Sequence, residues 1–277
     1  MTSSDDRTPE EINMLTTQYV PGAPNWLDLG APDMDAATAF YGAVFGWTFR
    51  SAGSGAGGYG FFQLDGKTVA GAGPLTEEGA RPAWTVHFHT PDVDALAKSV
   101  EQAGGTVRFG PCDVFTAGRL AGFTDPAGAE FAAWQPGDNP GMELAGATHA
   151  LCWTELYTTD AAAAKAFYRS VFSWETVDRE MGGEVVYTIA SPAGTDPDGD
   201  AGHAGIMQMA PENVAGGSTP EWHPYFAVED CDATVAKSTE RGAIAVIPPE
   251  DVEGVGRLAM LRDPFGAVFA VITPSVG

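Results

Sequence analysis

One block of this chain is written twice. Trp26, Asp28, Leu29, Asp33, Phe40, Tyr41, Val44, Phe45 and Trp47 reappear in kind as Trp153, Glu155, Leu156, Asp160, Phe167, Tyr168, Val171, Phe172 and Trp174, each 127 residues later. Self-similarity at a fixed period settles architecture before any local reading, because each copy must fold the same way. A second set repeats at an offset of 138: Trp84, Asp92, Gly104, Arg119, Asp125, Pro126, Gly128 and Phe131 match Trp222, Asp230, Gly242, Arg257, Asp263, Pro264, Gly266 and Phe269. Most of the added length falls in the acidic segment Thr195 to Ala201. A chain of 277 residues suits two domains of about 100 to 150 residues. The repeat places them at 23–136 and 148–274, joined by a Pro/Gly-containing linker at 137–147, with residues 1–22 expected as a mobile tail.

Local patterning subdivides each copy. Trp26 to Ala31 alternates and reads as a strand. Asp33 or Asp35 then caps a helix whose apolar positions recur every three to four residues, and Gly46 ends it. Thr48 to Ser51 is a short strand, and Tyr59 to Leu64 with Thr68 to Ala72 forms a hairpin around Asp65-Gly66. The order is strand, helix, three strands. A second module of that order follows: a strand at 82–89, a helix at 92–103, then strands at Val107, 120–124 and 130–134, the last preceded by the turn Asp125 to Gly128. The expected fold class is α+β, with four βαβββ modules in two pairs.

Net charge is −23, from 14 Lys and Arg against 37 Asp and Glu. Nucleic acid and anionic membrane are thereby disfavoured as partners, and a cation would be attracted; solubility alone also accounts for such a surface. Cys112, Cys152 and Cys231 follow no zinc spacing, and their odd number argues for reduced thiols in a cytoplasmic protein. No apolar run is long enough to span a membrane, and the amino terminus lacks the order of a secretion signal. The glycine clusters do not join strand to helix, so no phosphate loop is expected.

Four modules in register, with Asp33 and Phe40-Tyr41, Asp160 and Phe167-Tyr168, and the Asp-Pro-x-Gly turns at 125 and 263, resemble the vicinal oxygen chelate superfamily of glyoxalases, extradiol dioxygenases and bleomycin-resistance proteins. The resemblance covers residues 23 to 273. It implies paired modules curling around an open-sided cavity, one per half, in an expected monomer that is an internal pseudo-dimer. Family enzymes hold a divalent metal in that cavity through His and Glu ligands. Carried onto this sequence, the ligand positions are Trp26, Thr85, Gly71 and Ala132 in the first half, and Trp153, His223, Gly205 and Ala270 in the second. Only His223 could ligate, so no metal and no other cofactor is expected. Two relocated ligand sets remain as alternatives: His203, His223 and Glu155, and in the first half His87, His89, Asp28 and Glu130.

Period-two alternation then predicts what lines the cavities: Trp26, Asp28, Thr85, His87 and Trp134 in one, and Trp153, Glu155, Tyr157, His223, Tyr225 and Met207 in the other. Flat apolar surface with a carboxylate suits a planar aromatic ligand that also carries a cation; the competing reading is that Trp26 and Trp153 plug dead cavities. Trp47, Trp174, Trp84 and Trp222 are expected to pack, and Asp33, Asp92, Asp160 and Asp230 to cap helices. Two-domain members with Trp at the leading ligand position resemble accessory or resistance proteins of aromatic antibiotic pathways, anthracyclines included. The resemblance implies a metal-free binding protein for an antibiotic or its intermediate, sequestering it or serving a partner oxygenase. The alternatives are a metal-dependent lyase, isomerase or dioxygenase built around His223, and a chain in which one half is a scaffold for the other.

Overall fold

A computed structural model describes residues 15–75, 79–181, 186–195 and 202–275. Both halves open with the same sequence of elements. In the first they are β1 (Pro24–Ala31), α1 (Met34–Phe45), β2 (Thr48–Ser51), β3 (Gly60–Leu64), β4 (Lys67–Pro74), β5 (Ala83–His89), α2 (Val93–Gln102), β6 (Thr106–Val114), β7 (Gly118–Thr124) and β8 (Glu130–Pro136). The second continues with β9 (Leu151–Thr158), α3 (Ala161–Phe172), β10 (Glu175–Glu180), β11 (Val186–Ser191), β12 (Ala204–Gln208), the short α4 (Pro211–Ala215), β13 (Glu221–Ala227), α5 (Cys231–Thr239), β14 (Ile244–Val252), β15 (Gly256–Arg262) and β16 (Val268–Pro274). Each half is one eight-stranded sheet, ordered β2-β3-β4-β1-β5-β8-β7-β6 and β10-β11-β12-β9-β13-β16-β15-β14. The fold is therefore the expected α+β arrangement of paired modules. Among the described residues no helix is long and apolar enough to cross a membrane.

The helices start where the sequence says. Asp33, Asp92, Asp160 and Asp230 each accept a hydrogen bond from the backbone N–H three residues on, which satisfies a donor the first turn leaves orphaned. Asp33 rather than Asp35 is the first cap. Gly46 ends α1 in the left-handed region at φ 76°, and Ser173 adopts the same conformation after α3 at φ 59°. The strand expected near Val107 is nine residues long, because β6 continues past two register shifts against β7, around Phe109. Gly110-Pro111 lies within that stretch and reads as a strand breaker, yet the ladder resumes beyond it. The short α4 has no sequence signal that the repeat exposes.

The helix-side faces of the two sheets merge in one core. Trp84 meets Phe226, and Phe88 meets Trp222, at centroid separations of 5.6 and 5.1 Å. Trp47, Trp84, Trp174 and Trp222 are all buried, as their packing role requires. Since residues 84, 86 and 88 of β5 face residues 222 and 226 of β13, the opposite faces, carrying residues 85, 87 and 223, 225, point away from each other. Each half therefore presents its own site face outward.

One expectation needs correction here. Residues 15–22 are held in place: Leu15 N donates to Cys152 O at 3.4 Å, Tyr19 Oη to Met142 O at 2.7 Å, Gly22 N to His89 O at 2.9 Å, and Trp174 Nε1 to Gly22 O at 3.0 Å. A polar opening concealed the buried Leu15 and the indole that needs the Gly22 carbonyl. Residues 1–14 of the expected tail, and most of the acidic segment at 195–201, lie outside the described residues.

Candidate functional site

Strand register builds both site faces. In the first half Asp28 pairs with Gly71 on β4 and with Thr85 on β5, while Trp26 pairs with His87, and His87 with Ala132 on β8. In the second half Glu155 pairs with Gly205 and His223, Trp153 with Tyr225, and Tyr225 with Ala270. The register thus places Trp26, Asp28, Thr85 and His87 on one face, and Trp153, Glu155, Tyr157, His223, Tyr225 and Met207 on the other. Trp134 lies at the rim of the first face, beside His89 in register, with its Nε1 donating to Asn139 O at 2.8 Å.

In the first half the carboxylate is the hub. Asp28 Oδ1 accepts from Trp26 Nε1 at 3.1 Å and from Tyr59 Oη at 2.5 Å, and Oδ2 lies 3.1 Å from His87 Nε2. Burial alone would push its pKa up, but the bonds from His87, Tyr59 and Trp26 outweigh this and hold it below the usual carboxylate range. Trp26 is only 5% exposed and meets Phe61 edge-on at 6.1 Å. Its indole is thus enclosed rather than laid open as a stacking platform.

In the second half Glu155 is the hub, with different partners. Tyr225 Oη donates to its Oε2, and the hydroxyls of Tyr187 and Tyr157 stand near enough to favour its charged form. Burial pushes the Glu155 pKa up despite these three hydroxyls. Trp153 Nε1 donates to Tyr187 Oη at 2.8 Å. Trp153, Tyr157, Tyr187 and Met207 are half-buried, whereas Glu155, Tyr225 and His223 are buried. His223 stands edge-on to Tyr157 at 5.3 Å; burial lowers its pKa to about 4, and its Nδ1 has no partner.

Tyr59 and Tyr187 escaped the sequence reading, as did Phe61 and Phe109. The tyrosines recur 128 residues apart, Tyr59 just before β3 and Tyr187 in β11, so the 127-residue repeat comes within one residue of pairing them. The two glycines opposite give the reason they fit. A Cβ on Gly71 would fall on Tyr59 Oη and Asp28 Oδ1, and one on Gly205 would fall on Tyr187 Oη. Each tyrosine hydroxyl therefore fills the space that a longer residue at the closing-strand position would need. Phe109 lies over Gly122 in the same way.

The side chains do not fit a divalent metal. The positions where the family's ligands would stand carry Trp26, Thr85, Gly71 and Ala132, then Trp153, His223, Gly205 and Ala270, and among the described residues no three His, Cys, Asp or Glu side chains converge. The set His203, His223 and Glu155 is not assembled. His203 lies ahead of the β12 ladder, outside the alternation that placed it inward, and its ring packs on Trp174 at 5.1 Å in the core, with both nitrogens unpartnered and its pKa lowered to about 3 by burial. In the first half Glu130 instead pairs with Arg108 at 2.8 Å on the exposed edge, and His89 sits at the end of β5 against the Val20 backbone. Only Asp28 and His87 of that set come together. A groove of about 240 Å³ does exist elsewhere, between Pro21, Gly22, the start of α2 and the end of α3; it lies on the helix side and takes in neither hub.

Comparison with known proteins agrees with this construction. Residues 23–133 match the Glyoxalase/Bleomycin resistance protein/Dioxygenase superfamily, and residues 153–272 match a glyoxalase-like domain. The chain belongs to this superfamily. It is 41% identical over 274 residues to the anthracycline biosynthesis protein DnrV of Streptomyces peucetius, covering 92% of this chain and 94% of that one. It is 39% identical over 271 residues to the anthracycline biosynthesis protein DauV of Streptomyces sp. strain C5, with 92% and 94% covered. The crystal structure of the 2,3-dioxygenase LapB from Pseudomonas sp. KL28 superposes with a TM-score of 0.62 at 13% identity, over 92% of this chain and 94% of LapB, which is a likeness of fold. Against that superfamily background, both faces of this member carry a carboxyl, tyrosine and indole network where metal ligands would stand.

Proposed function

We propose that this protein binds a planar aromatic small molecule of the anthracycline class without a metal, as an accessory of an antibiotic pathway that sequesters the compound or serves a partner oxygenase. The observation that carries this is the replacement, on both faces, of every metal-ligand position but His223 by Trp, Thr, Ala or Gly, with Tyr59 and Tyr187 packed into the space opened by Gly71 and Gly205. A site without a Lewis acid retains what recognition needs: aromatic edges, fixed hydroxyl donors and a carboxyl. The relatives named for anthracycline biosynthesis support the ligand class. The two faces differ in what they expose: Trp153 is half-buried where Trp26 is enclosed, whereas Asp28 is half-buried where Glu155 is buried.

Titration with anthracyclines, followed by indole emission, tests the proposal together with metal analysis of protein purified without added metal. Saturable quenching by metal-free protein is the expected result. Stoichiometric Fe, Mn, Ni or Zn that is lost in His223→Ala would instead make the chain a metal-dependent enzyme.

A further inference from the structure

The two hubs are not equivalent in their partners. Both are carboxyls on the first strand of a half, each two residues beyond the leading indole, and each meets the diagonally related residue of the neighbouring strand. In the first half that residue is His87, 3.1 Å from Asp28. In the second it is Tyr225, donating to Glu155. An imidazole can supply counter-charge to a carboxylate; a phenol cannot. The other wall differs too, since the residue matching Tyr157 at the offset of 127 is Gly30.

We propose that the second face is an organic-ammonium site, in which Trp153, Tyr157, Tyr187 and Tyr225 form an aromatic cage around the Glu155 carboxylate. The inference rests on the ligand-binding reading of this face and names the group that the face receives. Cationic groups are attracted to the faces of electron-rich rings, most strongly where water is excluded, and a carboxylate at the base of such a cage adds a full counter-charge. The Tyr225 hydroxyl donates to Glu155, and the Tyr157 and Tyr187 hydroxyls lie on the same side, near enough to favour its charged form. Trp153, Tyr157 and Tyr187 are half-buried, leaving the mouth of the cage open, while Glu155 and Tyr225 form its buried floor.

A buried carboxyl attended only by neutral hydroxyls lacks half of an ion pair. Burial displaces its pKa upward, and an arriving ammonium would reverse that displacement. His223, its register neighbour, does not supply the charge, since burial holds its pKa near 4. The first face lacks two cage walls and has a basic side chain already seated on its carboxylate. His87 on the first face and Tyr225 on the second are thus the residues that separate the two specificities. The overall charge of −23 adds long-range attraction for a cation.

Calorimetric titration of the full chain with benzyltrimethylammonium, against benzyl alcohol as a neutral ring control, tests the cage without relying on an anthracycline. The expected result is one ammonium site per chain, at least ten-fold tighter than the alcohol. Glu155→Gln, whose amide oxygen can still accept from the tyrosines, should weaken it ten-fold or more, a larger loss than Asp28→Asn gives on the other face. Should Glu155→Gln fail to fold, the half-buried Tyr157 carries the test: Tyr157→Phe keeps the wall and the binding, Tyr157→Ala loses them. Equal binding of both probes, no saturable ammonium binding, or equal losses in Asp28→Asn and Glu155→Gln would overturn the proposal. An amine-free anthraquinone tests the parent reading separately: if it binds and the ammonium does not, the cage falls and that reading stands.

Discussion

Tyr41 on α1 donates its hydroxyl to Asp263 Oδ2, 222 residues away, at 2.9 Å, and accepts from Trp84 Nε1 at 3.0 Å. The same arrangement occurs with the halves exchanged: Tyr168 Oη reaches Asp125 Oδ2 at 3.2 Å and accepts from Trp222 Nε1 at 2.8 Å. The other oxygen of each aspartate holds three backbone N–H groups of its own Asp-Pro-x-Gly turn at 2.8 to 2.9 Å. Two motifs that look local in sequence are thus one device, clamping each half's helix to the other half's closing turn.

Removing a clamp hydroxyl should destabilise the whole chain. Tyr41→Phe leaves both Asp263 Oδ2 and the Trp84 N–H buried without that partner, at a cost of about 1–3 kcal/mol. Tyr168→Phe should match it, and the two effects should add, because the clamps share no partner. Thermal unfolding of both variants should show one cooperative transition at lower temperature. Separate melting of the two halves would contradict the shared core.

The repeat made the modules, their pairing and these motifs legible, and alternation found most of each site face. What it could not show was tertiary. Trp26 and Trp153 are identical in sequence position, yet one is enclosed and the other half-buried. His203 fits the alternation of β12 but lies before its first ladder partner, and turns to Trp174. Tyr59 begins a hairpin in the sequence reading and Tyr187 has no place in it, and the role of both depends on glycines on a different strand.

Those glycines give a second expectation. Gly71→Ala and Gly205→Ala place a methyl on the hydroxyls of Tyr59 and Tyr187, and the tyrosine must move or the strand must shift, costing about 1–3 kcal/mol. Adding Tyr59→Phe to the first, or Tyr187→Phe to the second, should recover part of the loss. Urea midpoints of the single and double variants decide this.

Opposite pH signatures should distinguish the two hub carboxyls. Asp28 has a folded pKa below its ordinary 3.8, so its contribution to stability is present above pH 3.8 and is lost as pH falls through the folded value. The penalty of Asp28→Asn should therefore shrink on acidification. Glu155 has a folded pKa above its ordinary 4.5, so wild type loses stability relative to Glu155→Gln as pH climbs from 4.5 through the folded value. Denaturant unfolding, below pH 3.8 for Asp28→Asn and above pH 4.5 for Glu155→Gln, should give slopes of opposite sign relative to wild type.

Two buried histidines should make the protein acid-sensitive. Burial lowers His203 to about 3 and His223 to about 4, from an ordinary 6.5. The unfolded chain takes up those protons first, so stability falls as pH drops below 6.5 and continues to fall towards the folded values. His203→Phe, which keeps a ring against Trp174, should flatten that decline in melting temperature between pH 6.5 and 4.

The central claim is that this superfamily member recognises its ligand through indole, tyrosine and carboxyl groups and needs no metal to do so. Calorimetric titration of chelator-treated protein with an anthracycline measures this directly. Saturable binding, unchanged when divalent metal is restored, is the predicted result; binding that appears only after metal is added back, or no binding in either state, would contradict it.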